Sequence, residues 1–162
     1  MPEAAAFSPA GISSFFEIRD KRADGRPFKD LAYAGARGGG LVISRGVLTR
    51  VRLKRANRSH VLVRINGRVA HEARTTASAI SRLLEISGEK YEVMVEHRVH
   101  VPIGAGYGAS AAGTLSAAFA FSDGADLGMS VHELGRVVHV AEIVNGTGLG
   151  TVGPLLTGGF VI

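Results

Sequence analysis

The sequence predicts a single α+β domain in which helices pack on one side of a mainly antiparallel sheet. Three observations carry that expectation. Segments with a period of two crowd the first half of the chain, and segments with a helical period dominate the second. No repeat and no long linker divides the 162 residues, a length that suits one domain with a real core. The composition, 46% hydrophobic against 20% charged, is that of a globular chain rather than a disordered one.

Taken in order, "AAAFS" and "SSFFEIR" read as two short strands separated by Pro9-Ala10-Gly11. The polar "KRADGRPFKD" reads as a loop, and "GARGGG" is a glycine cluster leading into the next strand. In that strand Val47, Thr49, Val51 and Leu53 alternate with Leu48, Arg50, Arg52 and Lys54, which predicts one apolar and one basic face. Asn66-Gly67 joins a strand to a short return strand, since this dipeptide favours the two-residue hairpin turn.

A helix is predicted over Glu72 to Ile86 from Ala73, Ala77, Ile80, Leu83 and Leu84, with Ser87-Gly88 ending it. "YEVMVEHRVHV" reads as a strand with Tyr91, Val93 and Val95 on one face. After a glycine loop, alanine dominates Ser110 to Phe121, a second helix, and "SDGADLG" reads as a turn. Ser130 and Glu133 have the spacing of a capping box. The helix it opens carries Leu134, Val137, Val138, Ala141 and Val144 as its stripe and stops at Asn145-Gly146. "GTGLGTVG" is a third glycine loop, and "PLLTGGFVI" reads as a bend and a final strand.

Composition excludes some functions. With no cysteine there are no disulfides and no thiolate metal sites. The first residues lack a basic segment followed by an apolar one, and the most apolar stretch, Ala111 to Phe121, is too short to cross a bilayer. The expectation is a cytoplasmic protein with no membrane partner. The net charge of +5 is uneven: Leu31 to His71 contains no acidic residue but includes Arg37, Arg45, Arg50, Arg52, Lys54, Arg55, Arg58, Arg64 and Arg68. Such a field attracts anions, among them nucleic acid, or is simply a solvated face. Nucleic acid is the less favoured partner, because the basic strand has no aromatic side chain on which bases would stack.

The stretch "VPIGAGYGASAAGTLS" lies between a predicted strand and a predicted helix. Gly104, Gly106 and Gly108 let the backbone turn sharply and approach a ligand, and the helix that follows points free N–H groups at it. Ser110 falls where an N-cap would. A Walker-type loop needs Gly-Lys-Ser/Thr, which is absent. A dinucleotide fingerprint can be fitted as Gly104-x-Gly106-x-x-Ala109 with Asp123 beyond it, but Asp123 falls in a turn between helices. A glycine-rich turn with close helix packing is the plain alternative.

Pro102-Ile-Gly-Ala-Gly106-Tyr-Gly108-Ala-Ser110-Ala-Ala112 resembles the P-x-x-x-G-x-G-x-S-x-A nucleotide loop of the GHMP kinases. "FSPAGISSFFEI" is similar to that superfamily's first motif, and "AEIVNGTGLGTVGPLLTGG" to its third. Within it, "FFEI", "GARGGG" and "HVAEIVNGTGLG" resemble the archaeal pantoate kinases.

The resemblance covers Phe7 to Ile162. It implies the GHMP N-terminal fold, with a left-handed βαβ element, across residues 1–162. It also implies a C-terminal domain that this chain lacks. The partners expected are a small hydroxy acid such as pantoate and either that missing domain or a second copy in a homodimer.

The resemblance further implies that ATP lies along Pro102, Gly104, Gly106, Tyr107, Gly108, Ala109, Ser110, Ala111 and Ala112. Ser110 and Glu142 would hold Mg²⁺, and the reaction would be γ-phosphoryl transfer to a substrate hydroxyl. Arg37, with Ser13 and Ser14, is the candidate for the substrate, an arginine matching its carboxylate. Many GHMP kinases place an aspartate, the suspected base, where this chain has Thr151. Three alternatives follow: Mg²⁺ and positioning suffice, His139 one turn before Glu142 serves as base, or the chain binds nucleotide without turnover.

Overall fold

The computed structural model describes residues 2–162. Strands β1 (Glu3–Arg19) and β2 (Gly35–Arg55) form a long antiparallel ribbon, linked through a single 3₁₀ turn at Leu31–Tyr33. Then come β3 (His60–Ile65), β4 (Arg68–Val69), α1 (Arg74–Ser87), β5 (Tyr91–Val99), α2 (Ala109–Gly124), α3 (Val131–Asn145), α4 (Val152–Thr157) and β6 (Phe160–Val161). The sheet order is β1-β2-β5-β3-β4, and β6 pairs with β2 at Gly40 and Leu41. All pairings are antiparallel except β3 with β5, whose connection carries α1.

The period-of-two reading of β2 holds. Val47, Thr49, Val51 and Leu53 are buried, while Arg50 and Lys54 are exposed. On β5 the buried row is Tyr91, Val93 and Val95, continued by His97. Against this face lies α2, buried almost all round from Ala111 to Ser122. The Asn66-Gly67 hairpin is present, with φ of 49° and 81°, the two positive values its turn requires. The capping box of α3 is also present: Ser130 Oγ accepts from the Glu133 N–H, and the Glu133 carboxylate accepts from the Ser130 N–H at 2.8 Å.

Several expectations need correction. β1 is one strand, not two: Pro9-Ala10-Gly11 is absorbed as a register shift between Pro9 and Ala10, with another between Ser13 and Phe15. "GARGGG" is part of β2 rather than a loop, and its glycines let β1 lie close: a Cβ on Gly38 would fall 2.1 Å from the Phe15 carbonyl oxygen. α2 runs on through Ser122-Asp123-Gly124, predicted as turn, and "VGPLLT" is a short helix rather than a bend. The stripe of α3 is rotated toward Gly135 and Glu142, leaving Val144 exposed, because α3 packs against α4 through Gly135 and against α1.

The basic face of β2 is largely paired. Arg52 faces Glu3 across the ribbon, 2.6 Å from its carboxylate, and Lys54 faces Glu92 at 3.0 Å. Arg50 stands opposite Glu96, and Arg55 reaches Glu89 at 3.0 Å. Neighbouring strands, and the segment just before β5, therefore supply the acids that the stretch itself lacks.

Candidate functional site

The loop between β5 and α2 turns at Gly104, Gly106 and Gly108, with φ of 76°, 82° and 62°. These left-handed values favour glycine. Gly108, not Ser110, is the N-cap of α2, and Ser110 is its second helical residue. No side chain caps α2, and its first turn holds no acid. The orphan N–H groups of the first turn lie beside an exposed loop, at the positive end of the helix. α1 and α4 also begin without a side-chain cap, whereas α3 has two reciprocal bonds; what sets α2 apart is the run of three left-handed glycines before it.

Two other segments converge on the loop. The Gly11 N–H, at the bend of β1, donates to the Tyr107 carbonyl at 3.1 Å. The methyl of Thr151 packs against Gly108, where a Cβ would come within 2.7 Å of it. The first, second and third motif segments thus meet at one point. Pro102 and Ile103 lie on the exposed outer side of the loop.

Glu142 is the charged residue most deeply buried here, only 1% exposed. Burial pushes its carboxyl above the ordinary range, and the hydroxyls of Thr147 and Ser110 pull it part of the way back. Thr147 Oγ1 donates to Glu142 Oε1 at 3.1 Å. The other carboxylate oxygen lies against Gly148, where a Cβ would intrude to 2.3 Å. Ser110 and Glu142 form an oxygen-only donor pair next to the bare end of α2. That pair suits a hard divalent cation held jointly with phosphate oxygens. No cluster of three or more His, Asp or Glu side chains stands ready for a metal among the described residues.

A cleft of about 1040 Å³ adjoins the loop through Gly11 and Thr151. Ser13 and Arg37 line it together with Phe15, Leu41, Leu155 and Val161, so polar groups share it with apolar walls. Arg37 makes no ion pair among the described residues; Glu17, opposite it in register, bonds Arg19 instead.

Two candidates are not brought there. Ser14 is the extra residue of the shift between Ser13 and Phe15 and does not line the cleft. His139 lines a separate hollow with Tyr33, His132 and Arg136, behind Leu149 and Gly150, and its Nε2 lies 2.7 Å from the Ala34 carbonyl oxygen. It shares a helix with Glu142 but not a cavity. Thr75, Thr147 and Gly148 escaped sequence reasoning. Helical spacing did not point to Thr75, which falls opposite the stripe predicted for α1.

Residues 73–159 match the family described as GHMP kinases N terminal domain. Pantoate kinase of Methanospirillum hungatei JF-1 is 30% identical over 164 residues, covering all of this chain and 53% of that protein. Among solved structures, a phosphotransferase related to the CoA biosynthesis pathway has a TM-score of 0.84 at 28% identity. The match covers 98% of this chain and 51% of that one. Homoserine kinase from Cytophaga hutchinsonii has a TM-score of 0.71 at 23% identity, over 99% and 48%. That last likeness is one of fold. The chain spans about half the length of the relatives it matches. No helix among the described residues is long and apolar enough to cross a membrane.

Proposed function

The chain belongs to the GHMP kinase family, and from that premise we propose that it is the ATP-binding half of a small-molecule kinase whose acceptor is pantoate or a similar branched hydroxy acid. The observation that carries the reading is the uncapped N-terminus of α2, set behind three left-handed glycines and beside the Ser110–Glu142 pair. Its free N–H groups and helix dipole suit a polyphosphate.

In this reading the backbone of Gly106 to Ala112 holds the triphosphate, with Tyr107 and Pro102 on the flank. Ser110 and Glu142 hold Mg²⁺, which when bound supplies neutralisation of the charge on the transferring phosphoryl group. Arg37 meets the acceptor carboxylate as a fork-like donor, and Ser13 orients its hydroxyls. The apolar walls at Phe15, Leu41 and Val161 suit a compact branched carbon centre. The likeness to a pantoate kinase supports the choice of acid.

Thr151 supplies no carboxylate. Transfer then relies on alignment and charge neutralisation. The far wall of the site comes, in this proposal, from a further domain corresponding to the half of the relatives that this chain does not span. The test is ADP formation with pantoate, mevalonate, homoserine and shikimate in turn, by the chain with and without such a domain. ADP formed with pantoate alone supports the reading, and no turnover in any arm removes it.

A second reading, nucleotide binding without turnover, is favoured by Thr151. It predicts an ATP-dependent rise in melting temperature with no ADP release in any arm.

A further inference from the structure

Behind Glu142 lies a short hydrogen-bond chain that spans three elements. Thr147, in the loop after α3, has one hydroxyl proton, which goes to Glu142 Oε1. Its oxygen lies 3.0 Å from Thr75 Oγ1, on the first turn of α1. With the Thr147 proton committed to the carboxylate, Thr75 is the donor of that bond. With the carboxylate as the nearer acceptor of Thr147, at 3.1 Å against 3.5 Å for the Glu142 carbonyl, the chain runs from Thr75 to Thr147 to Glu142.

Both threonines are anchored. Thr75 is 4% exposed. Its neighbour Thr76 is tied to His97 and Thr114 in the core, which fixes the first turn of α1. Thr147 is also held by its own backbone, whose N–H donates to the Glu142 carbonyl at 3.0 Å. The chain engages Oε1 and leaves the second carboxylate oxygen beside Gly148, where no side chain intrudes.

We propose that Thr75 and Thr147 are positioning residues that hold the Glu142 carboxylate in its cation-binding orientation toward Ser110. This rests on the reading of Ser110 and Glu142 as the Mg²⁺ pair, and it adds what sets their geometry. In this arrangement Thr75 acts through Thr147, and Thr147 through the carboxylate. Donors to a ligating carboxylate fix its orientation, and their loss typically weakens metal binding about tenfold or more.

The experiment is calorimetric titration of the intact chain with ATP, once with Mg²⁺ and once with excess chelator. Thr75→Val and Thr147→Val keep side-chain shape and remove the hydroxyl; Thr75→Ser and Thr147→Ser keep the hydroxyl. The expected result is about a tenfold loss of affinity for Mg²⁺-ATP in each Val variant, with metal-free ATP affinity unchanged. The Ser variants recover wild-type binding. The double Val variant is no worse than either single one, because the chain is broken once.

Equal losses with and without Mg²⁺, additive losses, or no loss overturn the proposal. Should Thr75→Val fail to fold, Thr147→Val on the cleft rim carries the same test. Wild-type protein that binds ATP no better with Mg²⁺ than without it overturns the functional reading, and this proposal with it.

Discussion

Protonation of His97 is expected to destabilise the fold over a defined pH window. The ring is 3% exposed, between β5 and α2, and burial pushes its pKa from 6.5 down to about 4. Its nitrogens are spent on hydroxyls: Nδ1 lies 2.7 Å from Thr49 and Nε2 3.2 Å from Thr76. In one ordering that satisfies the network, Ser116 donates to the Ala112 carbonyl, Thr49 to Ser116 and His97 Nδ1–H to Thr49, while Nε2 accepts from Thr76 and Thr76 from Thr114.

The threonine hydroxyls can accept from a doubly protonated ring as readily as they serve a neutral one, so what disfavours the cation is its burial. The unfolded state binds the proton more readily, so the stability is fully present above about pH 6.5. It is lost as pH falls from there toward about 4 and levels off below. Between pH 7 and pH 5 the loss amounts to about 2 kcal/mol. At a typical urea slope this moves the midpoint by about 1 M.

The assay is urea unfolding of wild type and His97→Gln at pH 7 and pH 5. The amide offers a donor and an acceptor but does not titrate, so the wild type should lose about 2 kcal/mol more than the variant over that range. Parallel losses refute the reasoning, as does an NMR titration of the His97 ring with a midpoint near 6.5.

Gly148→Ala places a methyl 2.3 Å from the Glu142 carboxylate and is expected to abolish Mg²⁺-dependent ATP affinity while far-UV circular dichroism stays unchanged. Ser110→Ala and Glu142→Gln are each expected to remove the Mg²⁺-dependent part of the ATP-induced melting shift, measured by scanning fluorimetry with and without chelator. Ser130→Ala removes the acceptor of the α3 capping box and should cost about 1 kcal/mol in urea unfolding.

Local signals were legible in the sequence where neighbours along the chain settle the structure. The Asn66-Gly67 turn, the Ser130–Glu133 cap and the alternation of β2 from Val47 to Leu53 depend on residues a few positions apart. Failures occurred where distant backbone decides. A run such as Gly38-Gly39-Gly40 has poor strand propensity, yet it is strand because β1 shifts register and passes so close that a side chain would collide. Likewise Pro9 reads as a break, although a shift in the ribbon absorbs it. The acids that pair the basic face of β2 were hidden for the same reason: Glu3, Glu92 and Glu96 are remote in sequence but lie on neighbouring strands, and Glu89 lies just before β5.

The candidate site divides along the same line. Its glycine-loop part is strand, loop and helix in unbroken succession, so the segment from Pro102 to Ala112 could be read directly. The carboxylate half is assembled from α1, α3 and the loop after α3, and only the fold brings Thr75 to Thr147. His139 shows the limit of reasoning by helical spacing. Residues three apart lie near one another on a helix, yet a turn of about 100° per residue still separates them by roughly a sixth of the circumference. Here that rotation carries Glu142 toward Thr147 and Ser110, and His139 to the carbonyl of Ala34. The segment Leu149-Gly150 runs between the two cavities, so a proton acceptor at His139 lies on the wrong side of it for a substrate held by Ser13 and Arg37.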